Sequence, residues 1–164
     1  MASFDERAFH LVQIGIIHSP YREQGEAPYQ GRFSDLVSRI EVFPRYEPGL
    51  KDIERCTHLY VIYWADRASR EDLQVVTPWG PEPRGVFACR SPSRPNPLNL
   101  CVVELLKRED NVLLVRGLDA LDRSPLVDIK PYSSRIDAVE GASIGWFEEA
   151  RGSGCGLGSI ADSS

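Results

Sequence analysis

Seven short apolar stretches, each of strand length, constrain the fold of this chain more than any other feature. They are Leu11 to Ile17 (broken by Gln13 and Gly15), Ile40 to Phe43, Leu59 to Trp64, Gly85 to Cys89, Leu98 to Leu106, Val112 to Val115 and Leu126 to Ile129. The third, L-Y-V-I-Y-W, is rich in aromatic and β-branched residues, the side chains that fit a pleated and half-buried surface. Helical spacing is confined to brief segments. Leu50 and Ile53 share a face within Pro48 to Arg55, and Arg67 to Leu73 and Ser143 to Ala150 offer a turn or two each. Short strands separated by Gly/Pro turns predict a mainly β protein: a closed or nearly closed β-barrel of six to seven strands with short helical additions. The polar run Lys107 to Asn111 is expected to turn one strand back on the next. Residues 1–151 are expected to form the barrel domain, and the Gly/Ser-rich residues 152–164 a flexible tail.

One run fits neither helix nor central strand. In Arg90-Ser91-Pro92-Ser93-Arg94-Pro95-Asn96-Pro97-Leu98 three prolines remove backbone donors and fix φ. The segment must be a stiff, extended loop. Such a loop presents Arg90, Arg94 and Asn96 at low entropic cost, which suits recognition of a polar ligand. It also suits a rigid connection whose arginines are only solvated.

Charge is unevenly spread. The chain carries a net −5, but residues 84–135 are net +3 while residues 1–83 and 136–164 are each −4. The basic central third suits an anionic ligand or RNA locally. Cys56, Cys89, Cys101 and Cys155 form no C-x-x-C pair, and His10, His18 and His58 are dispersed, so no metal site is expected. Free thiols, the absence of a signal-peptide pattern and the absence of an apolar run of membrane-spanning length lead to the expectation of a cytoplasmic protein with no membrane association.

Several polar segments remain to be placed. Ser19 to Phe33 is long for a loop in a compact domain, and long ordered loops are more often functional. His58 precedes the strongest strand, and Asp66-Arg67 follow it. Asp122 to Pro125 reads as a turn. In the strand after it, alternation puts Asp128 and Lys130 on the same face as Leu126. Charges there must be paired with each other or with an arginine, or must line a site.

The segments I-G-I-I-H-S-P-Y-R (14–22), T-H-L-Y-V (57–61), G-V-F-A-C-R-S-P (85–92), R-P-N-P-L (94–98) and L-V-D-I-K-P-Y (126–132) together resemble the TrmO/TsaA-like methyltransferases over roughly residues 12–132. The resemblance implies a single-sheet β-barrel, S-adenosylmethionine as cofactor, and a homodimer with the cofactor near the subunit interface. It also implies N-methylation at N6 of threonylcarbamoyladenosine beside the tRNA anticodon, with tRNA as partner. Carried over by position, the cofactor contacts fall at Pro28, Tyr29 and Gln30, at Asp66 and Arg67, at Arg90, at Leu100, and at Asp122, Arg123, Ser124 and Pro125. Arg94, Asn96, Asp128, Lys130 and Tyr132 are the corresponding candidates for the substrate. No catalytic residue stands out, since a sulfonium already activates the methyl group. This chain has Tyr29 where bacterial members usually have Arg, Cys89 where they have Thr, Asn99 where they have Gly, and Arg123-Ser124 where they tend to have Gly-Thr. Two other readings keep the same residues: a methyltransferase of a small metabolite, and a non-catalytic cofactor-binding module.

Overall fold

The computed structural model describes residues 9–152, so all of the expected tail but Gly152 lies outside the described residues. The chain forms two compact units. One comprises the residues up to Asp66 together with Leu98–Ser133, and the other Arg67–Pro97 with the residues from Ser134 on.

The first unit is a closed antiparallel barrel of six strands. In chain order these are β1 (Gly15–His18), β2 (Val37–Val42), β3 (His58–Trp64), β6 (Leu98–Glu109), β7 (Val112–Arg116) and β8 (Pro125–Pro131). Around the barrel they run β1-β2-β7-β6-β3-β8. Closure removes every free edge, which open sheets must otherwise protect. Side chains alternate strictly along β3, so Leu59, Val61 and Tyr63 face inward against Ile17, Ile40, Val42, Val103, Leu113, Val115 and Leu126. Burying such a Leu, Ile or Val contributes about 1.5–3 kcal/mol each.

The second unit holds β4 (Gln74–Thr77) and β5 (Gly80–Gly85), paired as a two-stranded antiparallel sheet. It also holds the helices α1 (Ser134–Asp137) and α2 (Gly145–Gly152). Trp79 packs edge-on against Phe147 of α2, with ring centroids 5.1 Å apart.

The expected barrel is present, and so is the C-terminal helix. Five local expectations are corrected. Gly85 to Cys89 is not a strand: β5 ends at Gly85, and Val86–Ala88 is a 3-10 turn. Its apolar residues fix a turn rather than extend a sheet. Pro81 and Pro83 are tolerated in β5 because a two-stranded sheet has only edges. Arg67 to Leu73 is a series of turns and bends, and Pro48 to Arg55 belongs to the 3-10 segments Pro44–Leu50 and Ile53–Arg55. The turn expected over Lys107 to Asn111 shrinks, since β6 runs to Glu109 and Asp110 turns with φ 52°. Finally, Leu126 does not share a face with Asp128 and Lys130. Tyr63 pairs with Leu126 and Ile62 with Asp128, so Val127 is an extra residue, a bulge that reverses the alternation. Leu126 and Ile129 both contact the core, and Asp128 and Lys130 pair with each other at 2.9 Å.

Candidate functional site at one rim of the barrel

The strand directions decide where the site residues gather. β1, β3 and β7 end at the same rim at which β2, β6 and β8 begin, as the pairs Val37–Arg116, Trp64–Leu98 and Gly15–Leu126 require. Three connections therefore leave and rejoin the barrel at that rim: residues 19–36, 65–97 and 117–124. Of the residues assigned to the cofactor by resemblance, Pro28, Tyr29, Gln30, Asp66, Leu100 and Asp122 to Pro125 belong to the barrel unit, and each lies in one of these connections or near the rim end of a strand. Arg67 and Arg90, together with Arg94 and Asn96, belong to the second unit.

Backbone and side-chain bonds join the first and third connections. The Ser19 amide donates to Asp122 Oδ1 at 3.1 Å, and the Ser19 hydroxyl to the Ala120 carbonyl at 2.7 Å. The Asp122 amide donates to the Tyr21 carbonyl at 2.6 Å, and the Arg123 amide to that of Ile17 at 2.7 Å. Tyr21 is buried, and its hydroxyl meets that of Ser34 at 2.5 Å, which closes the long loop on itself. Gly31 sits so close to the strand end that an added Cβ would lie 2.0 Å from the Gly117 carbonyl oxygen. Only glycine allows that approach of two backbones, and it holds the adjoining Pro28-Tyr29-Gln30 against the end of β7. Pro28 and Gln30 are half-buried, and Tyr29 is 69% exposed.

The Asp122 to Pro125 turn is built around Arg123 in the left-handed region, φ 68°. A side chain is strained there, and this is the position where the resembling bacterial sequences carry glycine. Ser124 is buried and spends its hydroxyl on the Leu121 carbonyl at 2.7 Å, so it shapes the turn. Leu100 lies on the outer face of β6 and is 44% exposed.

A polar cluster that sequence reasoning missed lies inside this rim. The Tyr63 hydroxyl donates to Asp119 Oδ1 at 2.7 Å, the Cys101 thiol donates to the same oxygen at 2.7 Å, and the Asn99 amide donates to the Tyr63 hydroxyl at 2.9 Å. Burial, then the neighbouring Asp119 charge, pushes the Tyr63 phenol far above its ordinary range. Ser38, two residues into β2 and 2% exposed, has a hydroxyl with no hydrogen-bond partner. Tyr63 and Cys101 read as core residues in the sequence. The only signal was Asn99 and Asp119, polar residues at the ends of apolar strands.

Arg94 is committed to the backbone. Its guanidinium donates to the carbonyls of Ser91 (2.8 Å), Val86 (2.7 Å) and Cys89 (2.7 Å). Arg90 and Asn96 are exposed. Lys130 and Tyr132 are not at the rim. β8 runs away from it for about 20 Å over its length, and Tyr132 lies edge-on to Tyr60 and His58 at the far end, its amide bonded to the His58 carbonyl at 3.1 Å. Among the described residues no group of His, Cys, Asp and Glu is placed to hold a metal ion, and no helix is long and apolar enough to cross a membrane.

The sequence matches the family described as the tRNA-methyltransferase O N-terminal domain over residues 16–138. It is 61% identical over 140 residues to a probable S-adenosyl-L-methionine-binding protein of Archaeoglobus fulgidus, covering 85% of this chain and 38% of that protein. It is 31% identical over 154 residues to the tRNA (adenine(37)-N6)-methyltransferase of Escherichia coli, covering 87% of this chain and 66% of the relative. The crystal structure of TrmO from Pseudomonas aeruginosa superposes with a TM-score of 0.71 at 30% identity, over 85% of this chain and 62% of that one. The chain thus spans between 38% and 66% of the lengths of these three proteins.

Proposed function

This chain belongs to the family of the tRNA-methyltransferase O N-terminal domain, and from that premise we propose that it is an S-adenosylmethionine-dependent N-methyltransferase of tRNA. The acceptor we propose is N6 of threonylcarbamoyladenosine next to the anticodon. The observation that carries the reading is the convergence at one barrel rim of Pro28 to Gln30, Asp66, Leu100 and Asp122 to Pro125, residues separated by up to 97 positions in the chain.

The donor set fits the cofactor. Carboxylates at Asp122 and Asp66 match an ammonium group and ribose hydroxyls, and the exposed side chain of Leu100 offers apolar surface to an adenine ring. For Arg67 and Arg90 the support is the motif match, and a guanidinium is suited to bidentate binding of a carboxylate. When bound, S-adenosylmethionine supplies a methyl group already activated by its sulfonium. The protein's share is then to hold and orient: the Ser19–Asp122 bond fixes the carboxylate, and the Gly31–Gly117 contact fixes the loop bearing Gln30. Such positioning accounts for much of the rate gain open to a group transfer of this type.

We further propose a homodimer. Leu98, Leu100, Val102 and Leu106 are each 38–44% exposed on the outer face of β6, an apolar strip that a second copy can cover. A cytoplasmic setting accords with free thiols at Cys56, Cys89 and Cys101.

Calorimetric titration with S-adenosylmethionine, followed by transfer of labelled methyl to tRNA pools with and without threonylcarbamoyladenosine, tests the function. Saturable binding and labelling only of the modified pool is the expected outcome. Binding without labelling of any tRNA overturns the acceptor, and no binding overturns the cofactor. Light scattering tests the dimer, which a monomer mass refutes.

A further inference from the structure

The 3-10 turn Val86–Ala88 displays one side chain that neither its unit's packing nor the proposed cofactor site uses. Phe87 is 84% exposed, while Val86 (1%) and Cys89 (9%) on either side of it are buried. The turn is held firmly. Arg94 grips the carbonyls of Val86 and Cys89, the Trp146 indole donates to the Ala88 carbonyl at 3.1 Å, and the Val86 amide donates to the Leu73 carbonyl at 3.1 Å. A loose loop would fold a ring of this size back onto the protein. Here the flanking backbone is fixed on both sides, and the ring stays in solvent.

The charges on its own segment of chain have one sign. Between Glu82 and Glu104 the chain contains Arg84, Arg90 and Arg94 and no acidic residue. Arg84 lies over the Trp146 ring at 5.3 Å, beside the indole that holds the turn, and Arg90 is exposed three residues beyond Phe87. A rigid exposed aromatic ring within a basic segment is the arrangement that takes up unpaired bases. The ring stacks on a base face, and the guanidinium groups attract the phosphates.

We propose that Phe87 is a stacking platform for an unpaired base of the RNA acceptor. The inference rests on the reading of the chain as a tRNA methyltransferase and deepens it by naming the residue that grips the acceptor.

The test compares the full chain with its Phe87→Ala and Phe87→Trp variants, using a synthetic anticodon stem-loop RNA as probe. RNA affinity is read by fluorescence anisotropy across a salt series, S-adenosylmethionine affinity by calorimetry and particle mass by light scattering. The Phe87→Ala variant is expected to bind RNA about tenfold more weakly. Its salt slope should be unchanged, because no phosphate contact is lost, and so should its cofactor affinity and mass. The Phe87→Trp variant is expected to restore binding. Undiminished RNA binding by Phe87→Ala overturns the inference while leaving the function standing. A changed mass overturns it too, because Phe87 would then belong to an interface between copies. If the unaltered chain binds no RNA, the tRNA reading fails and this inference fails with it.

Discussion

The hydroxyl of Tyr63, near the end of β3, donates to the carboxylate of Asp119, in the connection between β7 and β8, at 2.7 Å. This bond and the Cys101 thiol fasten the connection that carries Asp122 to the inside of the barrel. The rim is thus tied down by polar groups where the apolar core gives out.

Tyr63→Phe removes a donor from Asp119 and an acceptor from Asn99. Leaving such buried groups short of a partner costs about 1–3 kcal/mol. Denaturant midpoints at neutral pH read this directly.

The same phenol predicts an alkaline instability. Its pKa is raised in the folded protein, by burial first and then by Asp119. Above the unfolded value of about 10 the unfolded chain loses its proton and the folded one keeps it, so stability falls as pH rises, by up to about 1.4 kcal/mol per pH unit. Below that value the contribution is fully present. Unfolding curves between neutral pH and pH 11 should steepen in this way for the native chain and less for Tyr63→Phe. Equal slopes in the two proteins would contradict the assignment.

Gly31→Ala forces a Cβ to within 2.0 Å of the Gly117 carbonyl oxygen, a backbone atom with little freedom to retreat. A cost of about 1–3 kcal/mol is expected, and cofactor affinity should fall with it, because Pro28 to Gln30 shift. A variant as stable as the parent, with unchanged affinity, would show that this loop adapts.

Asp122 accepts the Ser19 amide, and the proposed site gives it a second role toward the cofactor. Asn at this position keeps an oxygen for the Ser19 amide but removes the charge. Asp122→Asn should therefore fold normally and bind S-adenosylmethionine about tenfold more weakly, the worth of one charge-assisted bond. Calorimetry on a variant of native thermal stability decides this, and undiminished affinity would remove Asp122 from the cofactor's contacts.

Cys89→Thr should be tolerated, since the thiol only approaches the Val86 carbonyl at 3.8 Å, and a threonine hydroxyl can make that contact. Arg94→Lys should not be, because an ammonium does not reproduce a planar fork reaching three carbonyls. Hydrogen exchange at residues 86–94 should rise for Arg94→Lys and stay unchanged for Cys89→Thr.

The sequence by itself determined the barrel and the location of its strands. Alternation in L-Y-V-I-Y-W marks which side chains face inward, and the prolines of residues 92–97 forbid regular structure there. Both are local signals, carried by side-chain period and by backbone stereochemistry. The residues proposed for the cofactor were legible only through motif resemblance, because nothing local links Gln30 to Asp122. Only the tertiary structure decided which connections share a rim, since that depends on strand direction around a closed sheet. It also decided the bulge at Val127, which turned Asp128 and Lys130 to the outside, and the Tyr63–Asp119–Cys101 cluster. Arg94 is the clearest case. Its place in a stiff basic loop suited a ligand, yet the fold spends it on the carbonyls of Ser91, Val86 and Cys89, and leaves Phe87 at the surface. Residue type sets what a side chain can bond to, and the packing of distant segments sets what it does bond to.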